Sequence, residues 1–275
     1  SYAPQARIIG RSVHWLPTHA ENNWQLTAEE LDIICRDDPS RPRILILNYP
    51  SNPTGCTYTD DQLLAIANVA RKYKLILLSD EIYGEVHFEG KHKSIARYYP
   101  EGTIISTGLS KWAGAGGWRL GTFIFPPELR PLQDAMAIIA SETYTATSAP
   151  IQHAAIAALE GPTDFIAYNN AAFARRRGRV LAALNAMEGI SCPAPDGAFY
   201  VFADISGLIG KKRPDGKVIE TDSDFAAALL ELGDVAVVPG VAFGLSPAFR
   251  ISFATADDAL DTALDRIASV VASLV

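Results

Sequence analysis

The sequence predicts an α/β chain: a mostly parallel sheet flanked by helices over residues 1–175, then a smaller C-terminal α+β domain over residues 176–275. Short apolar runs alternate with helical periods through the first half, the pattern of parallel strands joined by crossover helices. Beyond Pro150 the pattern turns helical, and after Pro195 it becomes mixed. Three of the early strands also lead into polar residues of distinct types, and open α/β sheets bind ligands at the carboxyl ends of their strands.

The elements follow in order. A helix is expected from Thr27, with Glu30 in the reciprocal capping position. Arg43–Asn48 (RILILN) has the composition of a short buried strand. Thr59 opens the next helix, Gln62 completes its capping box, and Leu63, Leu64, Ile66, Ala67 and Ala70 form its apolar side. Leu75–Ser79, Thr103–Ser106 and Gly121–Phe125 are further strands, the last stopped by Pro126-Pro127. Ile151–Leu159 is helical, and a longer helix from Thr163 to Met187 is polar enough to bridge two domains. Gly197–Ala203 is expected as a strand, Phe225–Leu232 as a helix ended by Gly233, and Val235–Val238 and Arg250–Phe253 as strands. Thr255 is expected to cap a final helix whose Ala259, Leu260, Ala263, Leu264 and Ile267 share a face.

Composition narrows the function. With 48% hydrophobic and 20% charged residues, the 275-residue chain has an ordinary globular balance. A net charge of −7 without a basic stripe argues against nucleic acid as a partner. Arg175-Arg176-Arg177 with Arg179 lies in a helical pattern and suits a solvated face. Cys35, Cys56 and Cys192 are scattered, without metal-ligand spacing, which fits a reducing compartment better than a disulfide framework. No apolar run approaches the roughly 20 residues of a membrane helix. Nothing resembles a signal peptide, so a cytoplasmic protein without a membrane partner is expected. His14, His19, His87, His92 and His153 lack ligand-like spacing, so no metal is expected. Gly114, Gly116 and Gly117 do not follow the dinucleotide fingerprint.

The chemistry concentrates in Thr107–Gly121 (TGLSKWAGAGGWRLG). Lys111 follows an apolar run, a glycine-rich loop comes next, and Arg119 follows eight positions after the lysine. A lysine screened from water can shed its proton and attack a carbonyl, while arginine offers a fixed fork to a phosphate. NYPSNPTG (Asn48–Gly55) and SDEIYGEV (Ser79–Val86) follow the two preceding strands. Alone, each signal is weak: NPTG is a common type of turn, and Asp-Glu after a strand is often a helix cap. Their order and spacing are far more specific.

With PDGAFYVF (Pro195–Phe202), VVPGVAFG (Val237–Gly244) and FRISFAT (Phe249–Thr255), these blocks identify the chain as resembling the class I/II aminotransferases. These are fold-type I pyridoxal phosphate enzymes, and the likeness runs from near Ser1 to near the last helix. The resemblance implies that Lys111 forms the imine with pyridoxal 5'-phosphate and later shuttles the α-proton. It implies that Asp80 pairs with the pyridine nitrogen, and that Tyr83 and Asn52 hydrogen-bond the cofactor's phenolic oxygen. Ser110 and Arg119 correspond to phosphate ligands, and Gly108 stands where some relatives carry a serine. Arg250 corresponds to the arginine that grips the substrate α-carboxylate, with Asn52 able to touch the same group. Trp112 and Trp118 are expected as packing residues, and Glu81 is assigned no role.

The resemblance further implies amino acid and 2-oxo acid substrates and a homodimer with shared active sites. Ser141–Ala149 (SETYTATSA) resembles the segment that reaches the partner's cofactor. It holds no Arg or Lys, which favours a neutral, aromatic or otherwise non-dicarboxylic amino donor. Relatives carry on the order of a hundred residues before the segment resembling Ser1-Tyr2, enough for most of a domain layer. That part supplies a phosphate-binding helix start and a ring-stacking aromatic, so the chain is expected to be a fragment. A lyase, decarboxylase or synthase on the same fold, and an aminotransferase-like sensor domain of a transcription regulator, remain as alternatives.

Overall fold

The computed structural model describes residues 2–275 and contains two sheets, each beside its own apolar core. The first part runs α1 (Tyr2–Ile8), α2 (Ala28–Arg36), β1 (Ile44–Asn48), α3 (Asp60–Lys72), β2 (Ile76–Asp80), β3 (Thr103–Gly108) and β4 (Gly121–Ile124). Its strands lie in the order β1-β2-β3-β4, with the first three parallel and β4 antiparallel to β3. The register sets Asn48 opposite Asp80 and Asp80 opposite Ser106, so the polar strand ends form one row. That row is the floor of the site.

Both capping boxes form. Glu30 N–H donates to Thr27 Oγ1 at 3.2 Å while Glu30 Oε2 accepts from the Thr27 N–H at 2.8 Å. Gln62 and Thr59 repeat the exchange at 3.3 and 2.8 Å. Each such cap contributes about 1 kcal/mol to its helix. Leu63, Ile66, Ala67 and Ala70 of α3 then pack with Leu45, Leu47, Leu75 and Leu77. β1 departs from the expected buried strand: Leu45 and Leu47 are inside, while Ile44 and Ile46 are exposed. It is an edge strand and only its α2/α3 side is covered among the described residues, so burial alternates with the pleat.

The chain continues through α4 (Arg130–Thr143), α5 (Ala149–Glu160) and α6 (Asp164–Asn185). β5 (Tyr200–Asp204), α7 (Asp222–Gly233), β6 (Val238–Pro239), β7 (Ala248–Ser252) and α8 (Asp257–Ala272) complete it. The second sheet is antiparallel, in the order β5-β7-β6. Val201, Phe225, Phe249, Phe253 and Ile267 lie at its core, together with Val180 and Leu184 from the end of α6. The start of α6 faces the other part: Phe165 stacks on Trp112 with ring centroids 6.1 Å apart, and Asn170 Nδ2 donates to the Glu85 carbonyl at 2.9 Å. One helix therefore touches both.

Several expected boundaries shift. The strand foreseen at Gly197 begins at Tyr200, because residues 196–198 are engaged elsewhere. The Asp196 and Gly197 N–H groups both donate to the Gly55 carbonyl at 2.9 Å, and the Ala198 N–H donates to the Val86 carbonyl at 2.7 Å. Of the expected Val235–Val238 strand only Val238 pairs with β7, opposite Arg250, and the pairing runs on to Pro239, opposite Phe249. Ala256, not Thr255, caps α8, and the acidic pair Asp257-Asp258 favours the helix start electrostatically instead. Gly233 is the last residue of α7 and Asp234, at φ 51°, turns the chain out. The glycine is there for space, since a Cβ would lie 3.0 Å from Val270 Cγ2.

Candidate active site

The loop after β1 sets the first residues of the site. Asn48, at the strand end, donates from Nδ2 to the Asp80 carbonyl at 3.0 Å and accepts the Asn52 N–H at 2.9 Å. It fixes the Asn52 backbone against the end of β2, a role the sequence reading did not assign. Gly55 closes the same loop at φ 71°, where a Cβ would fall 2.3 Å from Pro195 Cβ. Only glycine permits both that backbone and that approach. The loops NPTG and PDGA are thereby held together, beside the sheet whose Arg250, on β7, reaches Asn52.

Asp80 ends β2 half-buried. Its Oδ1 accepts the Ile82 N–H at 3.2 Å and its Oδ2 accepts the Tyr2 hydroxyl. A carboxylate offers about four acceptor sites, so both oxygens keep capacity for a further donor. Glu81 points the other way, into a polar cluster that the sequence did not reveal. Its Oε1 accepts from Ser79 Oγ at 2.8 Å and Ser94 Oγ at 2.7 Å, and its Oε2 pairs with His92 Nε2 at 2.8 Å. Tyr83 is buried, and its hydroxyl lies 2.9 Å from that of Tyr200. Burial first, then this hydrogen bond, pushes the Tyr83 phenol above the ordinary tyrosine range. The hydroxyl is therefore a neutral donor at any ordinary pH.

Lys111 sits in the turn that follows β3, half-buried rather than fully screened from water. Its Nζ lies 5.5 Å from the centroid of the Tyr83 ring and 5.8 Å from that of Phe199. Arg250, on β7, donates from Nη1 to Asn52 Oδ1 at 2.9 Å. Its guanidinium carbon stands 4.5 Å from the Tyr200 ring centroid and 5.2 Å from that of Phe243. Its Nε is buried without a hydrogen-bond partner. A buried orphan donor on a guanidinium is what an incoming carboxylate would satisfy.

Asp80, Asn48, Asn52, Arg250, Tyr200, Tyr83 and Lys111 thus form one unbroken chain of contacts. Two expected members lie outside it. Ser110 is next to the lysine but makes no side-chain hydrogen bond among the described residues. Arg119 is exposed, at φ 59°, and its Nη1 turns back onto the Gly116 carbonyl at 2.7 Å. The two tryptophans differ: Trp112 packs on Phe165, whereas Trp118 is 53% exposed and is not a packing residue. Gly108 has a steric reason, since a Cβ there would stand 2.7 Å from the Leu120 carbonyl oxygen on β4's side. No group of three metal-ligating side chains exists among the described residues, and the three cysteines are free.

The mostly parallel first sheet, with the Lys111 turn at its carboxyl edge, and the antiparallel second sheet carrying Arg250 match the fold of solved fold-type I aminotransferases. The solved aspartate aminotransferase of Rhizobium meliloti superposes with a TM-score of 0.92 at 38% identity, covering 100% of this chain and 68% of that one. Thermus thermophilus aspartate aminotransferase with maleate superposes at 0.88 with 34% identity, covering 98% and 67%. The chain belongs to the family aminotransferase class I and II, which matches residues 1–267. The aspartate aminotransferase of Rhizobium meliloti (strain 1021) is 41% identical over 274 residues, 98% of this chain and 65% of the relative. The aspartate/prephenate aminotransferase of Cereibacter sphaeroides is 39% identical over 279 residues, 100% and 68% respectively. This chain therefore spans about two thirds of the length of these relatives, 65% and 68%.

Proposed function

We propose that this chain acts as a pyridoxal phosphate-dependent aminotransferase, moving an amino group between an α-amino acid and a 2-oxo acid. The observation that supports it is the single connected set of Lys111, Asp80, Tyr83, Asn52 and Arg250, in a member of this family. The fit to the cofactor rests on chemistry present in the site: a strand-end carboxylate with free acceptor capacity, a neutral phenol donor, an amine above aromatic rings and an orphaned guanidinium N–H. Pyridoxal phosphate, when bound, supplies a carbonyl for amine exchange and a ring that takes up the electron pair left at the amino acid's α-carbon.

The chain's own groups divide the remaining work. Asp80 would hold the protonated ring nitrogen, a charge-assisted bond that keeps the ring electron-poor. Tyr83 and Asn52 would donate to the phenolic oxygen; Asn52 Oδ1 is taken by Arg250, which leaves its Nδ2 as the donor. Lys111 Nζ would hold the cofactor, then remove the α-proton and return it. Arg250 would clamp the α-carboxylate and so fix which bond of the α-carbon faces Lys111. Ser110 and Arg119 would take the phosphate, Arg119 after leaving the Gly116 carbonyl. We place residues 1–175 in the cofactor-binding unit and 176–275 in a smaller one, consistent with the two separate cores.

For the donor, the absence of Arg and Lys in Ser141–Ala149 and the names of the relatives point in opposite directions. We take aspartate, because relatives 39–41% identical carry that name, and a second carboxylate could be held from outside that segment. A second copy of the chain as partner is supported by open apolar side chains along α4 and α5, among them Ile138, Ile139, Ile156 and Leu159. Three free buried thiols fit the cytoplasm. No helix among the described residues is long and apolar enough to cross a membrane.

The test is to supply pyridoxal phosphate and 2-oxoglutarate with aspartate, phenylalanine or alanine and to identify the products. Glutamate formed together with the matching 2-oxo acid, and lost in Lys111→Ala with the bound-cofactor absorbance, is the expected result. Carbon dioxide or ammonia without glutamate would move the assignment to a decarboxylase or lyase.

A further inference from the structure

Tyr200 lies between the two functional ends of the site. It is buried, its hydroxyl meets the Tyr83 hydroxyl at 2.9 Å, and its ring face lies 4.5 Å from the guanidinium carbon of Arg250. Neither phenol has another side-chain hydrogen-bond partner among the described residues. Two hydroxyls that share one bond leave one proton unspent. If Tyr83 donated to Tyr200, the Tyr200 proton would be orphaned in a buried position, at a cost of about 1–3 kcal/mol. If Tyr200 donates to Tyr83, the spare proton is on Tyr83, whose ring centroid lies 5.5 Å from Lys111 Nζ. With an anionic oxygen next to Tyr83, only the second arrangement uses both protons, and a donated bond strengthens the next donor in a chain.

The ring of Tyr200 does separate work. Arg250 has Tyr200 on one side and Phe243 within 5.2 Å, and its Nη1 is fixed by Asn52. A guanidinium flanked by aromatic faces keeps its plane without spending its remaining N–H groups. These stay available to a carboxylate.

We propose that Tyr200 is a positioning residue with two separable parts: its hydroxyl aims the Tyr83 proton at the cofactor's phenolic oxygen, and its ring holds the Arg250 fork in plane for the substrate carboxylate. The proposal rests on the aminotransferase reading above. The charged and titratable groups around the pair are Lys111, Asp80, Arg250 and the two phenols themselves. Tyr200→Phe removes only the hydroxyl; Tyr200→Leu removes the hydroxyl and the aromatic face while keeping an apolar side chain.

Two measurements separate the parts. The first is the pH midpoint of the bound-cofactor absorbance: Tyr200→Phe and Tyr200→Leu each raise it by about half a pH unit, since a weaker Tyr83 donor favours the protonated state. The second is calorimetric titration of the cofactor-free chain with 2-oxoglutarate: Tyr200→Leu binds about tenfold more weakly, while Tyr200→Phe binds as wild type. An unchanged midpoint in Tyr200→Phe overturns the role of the hydroxyl. Equal 2-oxoglutarate affinity in Tyr200→Leu and wild type overturns that of the ring. Wild-type protein that binds the cofactor through Lys111 but yields carbon dioxide or ammonia without glutamate would instead overturn the aminotransferase reading, while the midpoint and the 2-oxoglutarate titration would still decide the two roles of Tyr200.

Discussion

Arg250 and Asn52, 198 positions apart in the chain, share a hydrogen bond of 2.9 Å from Nη1 to Oδ1. It joins the arginine of the antiparallel sheet to the loop that ends the first strand of the parallel one. The bond orients both side chains at once: the asparagine must present its amide protons elsewhere, and the guanidinium keeps Nη2 and Nε for a ligand. Arg250→Lys keeps the charge but loses the fork, so kcat/KM for the amino donor should fall about a hundredfold, a cost of about 2.7 kcal/mol. Asn52→Ala should fall less for the substrate while also shifting the bound-cofactor spectrum. Steady-state kinetics and absorbance on the two variants check this. Equal effects of both variants on the spectrum would argue against the division of labour.

The elements legible in the sequence were those set by local chemistry. Thr27 with Glu30 and Thr59 with Gln62 fold as capping boxes because the whole motif lies within four residues. The candidate set Lys111, Asp80, Tyr83, Asn52 and Arg250 was legible from the motif blocks, and the structure brings all five into one connected group. Little in the local sequence sets Asn48 and Tyr200 apart as site residues, because each reaches across the fold, Asn48 to Asp80 32 positions away and Tyr200 to Tyr83 117 positions away. One signal existed for Asn48: it is the one polar residue in an otherwise apolar strand, and it sits at the edge where ligands bind. The start of β5 is not legible for a similar reason, since the N–H groups of residues 196–198 donate to Gly55 and Val86 rather than to a neighbouring strand.

Glu81 should matter for stability rather than for the reaction. Its buried carboxylate accepts from the hydroxyls of buried Ser79 and part-buried Ser94 and pairs with part-buried His92. Glu81→Ala leaves Ser79, Ser94 and His92 without their shared acceptor, which should cost about 3 kcal/mol in urea unfolding. Glu81→Gln keeps one acceptor oxygen and should cost less. If both variants unfold at the wild-type midpoint, the cluster carries no net stability.

Gly55→Ala should be among the most damaging small substitutions in the chain. The backbone at φ 71° is strained for alanine, and the added Cβ would overlap Pro195 Cβ at 2.3 Å. The NPTG and PDGA loops would have to separate, pulling Asn52 from Arg250. A loss of about 2–4 kcal/mol in stability is expected, with weaker 2-oxoglutarate binding by calorimetry. Wild-type affinity in a folded variant would show that the loops are not coupled to the carboxylate site.

Alkaline stability should depend on the buried thiols. Burial pushes Cys56 up from 9.0 to about 11 and Cys192 from 9.0 to about 12. Above pH 9 the unfolded chain loses these protons while the folded chain keeps them, so the folded state binds more protons and stability falls as pH rises. The loss begins near the unfolded value of 9.0 and ends as pH passes about 11 for Cys56 and about 12 for Cys192. Each thiol contributes a slope of about 1.4 kcal/mol per pH unit within its window. Urea unfolding between pH 8 and 10 should therefore steepen downward in wild type and flatten in Cys192→Ala, while a thiol reagent at pH 8 reacts only after unfolding. An identical slope in the variant would remove Cys192 from the account.

Gly108→Ser tests whether this glycine records a missing phosphate ligand or a packing demand. The family resemblance implies a serine at the matching position of some relatives, whose hydroxyl would add one phosphate bond. Here, however, the Cβ of any side chain would lie 2.7 Å from the Leu120 carbonyl oxygen and 3.0 Å from Gly121 Cα. Both atoms are backbone at the start of β4, which pairs Gly121 with Gly108 across the sheet. Backbone cannot rotate away as a side chain can, so β4 must move before the hydroxyl can be accommodated. β3 carries the chain straight into Ser110 and Lys111, so that movement would reach the lysine. The serine should therefore lower thermal stability by about 1–3 kcal/mol and should not tighten pyridoxal phosphate binding. Tighter cofactor binding in an equally stable variant would show that β4 yields and that a hydroxyl at this position restores a phosphate ligand.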